Sequence, residues 1–373
     1  MSDTLELKLN EAKATGEQTS DIFVVKNTDG RDGGFQRLLR LMGSKGVDFY
    51  GLVPSDSTVI VKVNSQWNER GGTNTDLVKA IVDAIVSHPD GFTGEVIIAD
   101  NGQAQFGSTR HGGSLDYELN NAEDRAQSNR VVAESFPGHR VSTYLWDEIT
   151  SNEVGEYSEG DDGDGYVIEG TPDPATGIRV SYPKFKSAHG TRISFKEGVW
   201  DPEASAYDSG RLKLINVPVL KAHFICGVTG CVKHYMGVVS DKLQGGGAHK
   251  SVLTGGMGTQ IAGTRAPDLN ILDAIWVNST PGKGPRSNDD EATRLNIIMA
   301  GTDPCALDAW ATRNVLMQAA RLQGHEDLSK FDPENDDPGS HGRWLRLSAE
   351  VLREAGHIAV LDEDGMNVYV ATA

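Results

Sequence analysis

Two lysines, two histidines and two cysteines crowd the short segment Lys221 to Gly237, and the chemistry of this chain is expected to centre there. The apolar run Leu212 to Val217 predicts a buried strand ending at Pro218, with Lys221 and His223 in the loop that follows. Gly227-Val228-Thr229-Gly230 is expected to open a helix. Unpaired backbone N–H groups and the positive end of a helix dipole, flanked by Lys221, His223 and Lys233, suit a phosphate or carboxylate. On this reading Lys221 and Lys233 hold the anion, Thr229 and Gly230 contribute backbone, and His223, which titrates near neutrality, is the general acid or base. The competing reading leaves Thr229 as a simple cap and the lysines in solvent.

The same segment spells His223-x2-Cys226-x4-Cys231-x2-His234, two thiols and two imidazoles of the kind that bind Zn or Fe. A metal ion is therefore one cofactor expectation, although the spacing matches no standard finger and a free cysteine is commonly a small buried hydrophobe. Gly245 to Ser251 resembles a phosphate-binding loop but lacks the glycine that should precede its lysine, so it reads as a flexible loop or lid.

Carboxylates stand where ligand sites of open α/β sheets gather, at strand ends and helix starts: Asp100, Asp273, Asp303 and Asp308. Asp100 is the expected catalytic partner of Lys221 and His223. Lys62 and Asn64, leaving a similar strand end, are expected to complete the pocket, with Asp303 as a further ligand residue or a helix cap.

The elements that would position these groups alternate β-branched runs with amphipathic ones. Ile22 to Lys26, Thr58 to Val63, Glu95 to Ala99, Leu212 to Val217, Leu269 to Trp276, Leu295 to Ala300 and Met366 to Val370 read as strands. Phe35 to Met42, Asp76 to Ser87, Pro304 to Leu322 and Trp344 to Ala355 read as helices, the second behind a Thr or Asn cap and the third behind Asp303. The pattern predicts an α/β fold: a mostly parallel sheet of β-α-β units with long polar insertions at Gln103 to Arg130 and Gly155 to Thr176, and a small antiparallel subdomain around Tyr166 to Phe195. It divides into a polar arm (1–20), a first α/β portion (21–150), an acidic insertion (151–210) and a second α/β portion (211–373). The strands ending at Asn64, Asp100 and Val217 are expected to share one cleft at their C-terminal ends.

Composition narrows the function classes. With 38% apolar residues the chain can bury a full core, and no apolar run reaches signal-peptide or membrane-span length, so a soluble cytoplasmic protein is expected. Three cysteines cannot build a dense disulfide framework. A formal charge of −18 opposes general binding to nucleic acid, whose affinity comes from Lys and Arg on phosphates. The expected partner is a small anionic ligand. Two functions fit: an enzyme acting on a phosphorylated or carboxylated substrate, or a non-catalytic metal- or cofactor-binding protein using the His–Cys set.

Asn216-Val217-Pro218-Val219-Leu220-Lys221-Ala222-His223, with Gly227-Val228-Thr229-Gly230-Cys231-Val232-Lys233 and Gly237, resembles the domain-of-unknown-function-362 family. Val59 to Asn64, Ile97 to Asn101, Ile271 to Ile275 with Gly282 to Pro285, and Ala300 to Asp308 follow in the same order, so the resemblance spans about Thr58 to Val315. It implies an α/β fold and a shared site without an assigned activity. Many relatives carry a ferredoxin-like iron–sulfur segment; three cysteines cannot supply one here. Ala222, Cys226, Cys231 and His234 also stand where the family pattern has Thr, Thr or Ser, Ala and Asn.

Overall fold

The apolar runs assemble into layers that bury both faces of one sheet. The computed structural model describes residues 4–103, 113–161 and 163–373; part of the first polar insertion, Asp162 of the acidic run and the first three residues of the N-terminal arm lie outside the described residues. Strands β1 (Ser20–Lys26), β2 (Thr58–Val63), β3 (Glu95–Asp100) and β4 (Val141–Leu145) come first. Five short strands follow, β5 (Gly165–Ile168), β6 (Ser181–Lys186), β7 (Arg192–Ser194), β8 (Gly198–Asp201) and β9 (Ala206–Asp208). Then come β10 (Leu212–Val217), β11 (Lys221–His223), β12 (Gly227–Thr229), β13 (Leu269–Val277), β14 (Thr293–Gly301) and β15 (Met366–Thr372).

Eight strands form the large sheet in the order β15-β1-β14-β13-β10-β2-β3-β4. Its β13-β10-β2-β3-β4 portion is parallel throughout, while β14 runs antiparallel to both β1 and β13. Strands β5 to β9 make a separate antiparallel sheet, and β11 with β12 a two-stranded hairpin. The fold is thus mixed α/β with a large, mostly parallel sheet.

Side-chain alternation explains why β2, β3 and β10 carry apolar residues on both faces. Val59, Val61, Val63, Ile98, Ile215 and Val217 join one core with the helices Gly34–Ser44 and Thr75–Val86, whereas Ile60, Ile97, Leu212 and Leu214 join the other. A strand covered on both faces has no solvent side to spend on polar residues. Lys62, fully buried two positions after Ile60, breaks that rule and marks the sheet end where the site forms.

Asp303 shows how the second half is tied to the termini. One carboxylate oxygen accepts the Cys305 and Ala306 N–H groups and so caps the helix that starts at Pro304; the other accepts Ser20 Oγ at 2.6 Å and Val360 N–H at 2.7 Å. Beyond Ala311 that helix widens into a π turn over Thr312–Leu316 and continues to Leu322. Among the described residues, no helix is long and apolar enough to cross a membrane.

Asp303→Ala removes a helix cap and strands two buried donors at once. Loss of about 2–4 kcal/mol of stability in urea is expected, combining cap loss with unsatisfied donors. A change below about 0.5 kcal/mol, the size of an ordinary surface substitution, would mean that these bonds are not formed.

Candidate functional site

Parallel strands β3, β2 and β10 end side by side, and their C-terminal ends open into a cavity of about 40 Å³. Asn64, Gly71, Asp100, Asn101, Lys221, Thr229, Lys233, His234, Gly237 and His249 are among the residues lining it. A space of that size holds a few water-sized groups.

The floor is an ion pair. Lys62 Nζ donates to Asp100 Oδ1 at 2.8 Å, with both side chains buried, and Asp100 Oδ2 accepts Ser65 N–H at 2.8 Å and Ser65 Oγ at 3.1 Å. Gly237 packs directly on this pair, since a Cβ there would overlap Asp100 Oδ1 and Lys62 Nζ. Its carbonyl accepts the Asn101 N–H, and the Asn101 side chain reaches Tyr166 OH and the Val239 carbonyl. Asn64 closes the β10 side, with Oδ1 accepting the Val219 N–H at 2.8 Å.

The segment after β10 is a hairpin, not the expected strand, loop and helix. Gly227 sits at φ +77° against the Lys330 carbonyl, which turns the chain back and pairs Lys221 with Thr229, Ala222 with Val228 and His223 with Gly227. Only a short 3₁₀ turn, Lys233–Gly237, follows. The anion argument based on a helix N-terminus therefore falls. Gly230 is occupied differently: Asp308 lies on it and accepts the Cys231 and Val232 N–H groups at 2.6 and 2.9 Å, so Asp308 clamps the turn after the hairpin.

Cross-strand pairing puts Lys221 and Thr229 opposite one another. Lys221 Nζ donates to the Gly71 carbonyl at 2.5 Å. That carbonyl is held in place because Arg70, its neighbour, stacks 4.0 Å over the Trp276 ring and donates to the Ala122 carbonyl. Among the described residues neither Lys221 nor Lys233 has a carboxylate within ion-pair distance, and Lys233 has no hydrogen-bond acceptor. The Thr229 hydroxyl is likewise buried without a partner. Burial, reinforced by the Lys233 charge, pushes the Lys221 amine down to about 7; burial lowers Lys233 as well.

The histidines divide. His223 accepts the Ile225 and Cys226 N–H groups through Nδ1, stacks on Phe224, and is not among the cavity-lining residues; burial, with the nearby lysines, holds its pKa well below the usual range. His249, which sequence reasoning left in a flexible loop, does line the cavity. It sits in the helix Ala248–Val252, and Asp241 places Oδ2 3.6 Å from its Nδ1 while Oδ1 accepts the Ala248 N–H. Burial lowers the His249 pKa, against the raising effect of Asp241.

The proposed metal ligands do not converge. Both His234 ring nitrogens face acceptors already, Asn216 Oδ1 at 2.7 Å and the Val63 carbonyl at 2.9 Å. The Cys231 thiol is fully buried against Asp308, which together with desolvation pushes its pKa well up, and Cys226 is buried with its carbonyl accepting the Trp344 indole N–H. Among the described residues no three His, Cys, Asp or Glu side chains are placed to share an ion. Asp303 caps its helix and does not reach the cavity. Asp273 is likewise structural, accepting the Asn74 N–H and the Asn121 side chain.

Of the expected residues, then, Asn64, Asp100, Lys221, Thr229, Lys233 and His234 line one space, Lys62 reaches it only through its pair with Asp100, and Gly230, His223, Cys226, Cys231 and Asp303 are not among its lining residues. Asn101 and His249 were missed. Asn101 directly follows the strand-end aspartate, which was a usable signal; His249 became visible only through Asp241.

Residues 211–313 match the family model described as domain of unknown function (DUF362). No curated protein and no solved structure matches the chain.

Gly237→Ala is the sharpest test of the floor, because its methyl must displace one member of a buried ion pair. A loss of about 3 kcal/mol or more is expected on urea unfolding, whereas Gly138→Ala, with nothing within 4 Å of the added carbon, should be near neutral. Equal effects of the two would refute the packing described.

Proposed function

We propose that this protein is an enzyme acting on a small anionic substrate bound at the C-terminal ends of β2, β3 and β10. One observation carries the reading: a buried lysine, Lys233, and a buried hydroxyl, Thr229, line the same cavity without partners among the described residues. An unpaired cation and an unsatisfied donor are both costly in a protein interior, and a carboxylate or phosphate oxygen placed between them removes both costs. Lys62 supports this by contrast. It is equally buried, but Asp100 neutralises it, so Lys233 is left as the cation for a ligand.

In this reading Lys233 and Thr229 fix the anion, and Asn64 and Asn101 shape the walls. Proton transfer falls to His249. Its imidazole is kept neutral at pH 7 by burial and is oriented by Asp241, so it can accept a proton and share the resulting charge with the carboxylate. Lys221, with an amine pushed to about 7, exists in both protonation states near neutrality and is a second proton-transfer group.

Lys233→Met keeps the apolar stem and removes the charge. Thermal stability without ligand should hold or rise, while the stabilisation given by small carboxylates and inorganic phosphate in a thermal-shift series should vanish. Wild type near a hundredfold excess over Kd should gain about 2.7 kcal/mol. Unfolding of the variant several degrees earlier, with no anion present, would show that Lys233 serves the fold instead.

A pH series tests Lys221 separately. Its folded pKa of about 7 lies below the ordinary 10.5, so between these values the unfolded chain binds more protons and stability rises with pH. Wild type should therefore gain on Lys221→Met in urea unfolding from about pH 7 to about pH 10, the window between folded and free lysine values. A flat difference would mean that Lys221 stays protonated throughout.

A further inference from the structure

The neighbourhood of Lys221 goes further than anion binding. Its amine is buried in the cavity wall, points to a peptide carbonyl and not to a carboxylate, and stands opposite the unpartnered Thr229 hydroxyl with a second lysine, Lys233, lining the same space. A lysine that serves as a fixed charge is better placed as Lys62 is, against an aspartate. A buried lysine beside another cation is instead the arrangement that leaves an amine unprotonated and nucleophilic. The low value reached by its ammonium agrees with this placement.

We propose that Lys221 is a nucleophile that forms an imine with the carbonyl of a small 2-oxo acid whose carboxylate is held by Lys233 and Thr229. This rests on the anion-site reading above and adds the substrate class. Lys221 and Thr229 face each other across the hairpin and both line the cavity, and a 1,2 relation of carbonyl and carboxylate is the shortest that presents both groups within one small space. The cavity of about 40 Å³ points to the same short acids.

In the step itself, the Lys221 Nζ lone pair attacks the carbonyl carbon. The N–C bond forms as the C=O π pair moves to oxygen, and that oxygen takes up a proton while the nitrogen gives one up, giving a carbinolamine. Loss of the hydroxyl as water, with the nitrogen lone pair closing the C=N bond and its remaining proton leaving, yields the imine. His249, lining the same cavity, is the group that moves these protons. No oxidant or further reactant is required.

The test uses the whole protein with pyruvate as probe, borohydride as trapping reductant, and peptide mapping by mass spectrometry. A single carboxyethyl group on Lys221 is expected, in at least tenfold excess over any surface lysine, suppressed by excess lactate, which has the carboxylate but no carbonyl. Lys233→Met should lower its yield at least tenfold, and Lys221→Arg should remove it. Mapping of wild type alone identifies the lysine, so the result does not depend on either variant folding. No adduct above the surface background, with lactate still raising the melting temperature of wild type, overturns the imine and leaves the anion site standing. If pyruvate, lactate and inorganic phosphate all fail to shift the melting temperature, the anion site falls and the imine with it.

Discussion

The Lys62–Asp100 pair is the constraint on which the sheet end is built. Two opposite charges on neighbouring parallel strands lie out of water at 2.8 Å, and neither can be given up singly without leaving the other buried and alone. Breaking such a pair is far more damaging than replacing both members, because the residual charge keeps its desolvation penalty. Ser65 spends its N–H and hydroxyl on the remaining carboxylate oxygen, so the bend leaving β2 is fixed by the same aspartate that ends β3. Gly237 then lets the chain descend onto the pair, and its carbonyl fixes Asn101. Floor, wall and neighbouring turn are thereby set by one electrostatic contact.

Above that floor the charge balance is deliberately incomplete. Asp100 answers Lys62, and Asp273, whose buried carboxyl is pushed up to about 6, is occupied in holding the Asn74 and Asn121 segments. Asp147, buried and repelled by Asp100, is pushed up to about 8 and carries little charge at neutrality. Among the described residues Lys221 and Lys233 thus line the cavity without a carboxylate at ion-pair distance, although the whole chain carries −18. Net charge describes the surface seen from a distance; the sign inside a pocket is decided by the few groups that lack a counter-charge.

Much of the scaffold was legible because strands buried on both faces leave a plain mark. Runs such as Thr58 to Val63 and Leu212 to Val217 are mostly β-branched or apolar, and both form strands with the expected bounds. Lys62 and Asn64, read as leaving the end of the first of these strands, lie there, Lys62 against Asp100 and Asn64 against the Val219 N–H. The hairpin was misread because Thr-Gly before Cys-Val-Lys looks locally like a helix start; what overrides it is Gly227 packed on the Lys330 carbonyl, a contact more than a hundred residues away in sequence. The same locality problem hid His249, which Asp241 places across a glycine-rich turn, and made the His–Cys spacing look like a ligand set although both His234 nitrogens face other acceptors and the Cys231 thiol lies against Asp308.

The order of strands in the large sheet also bears on when the pocket comes into being. Lys62 and Asp100 belong to strands that pair early in sequence terms, but β10, which carries the hairpin, joins β2 only after the whole five-stranded antiparallel excursion has been synthesised. Strand β1, near the amino terminus, is paired with β15 at the far end of the chain. Pairings of such high sequence separation carry a large loop-closure entropy before any contact rewards it, and they form slowly. The burial that lowers the pKa of Lys62, Lys221 and Lys233 belongs to the assembled sheet and depends on β10 pairing with β2 across a long stretch of sequence.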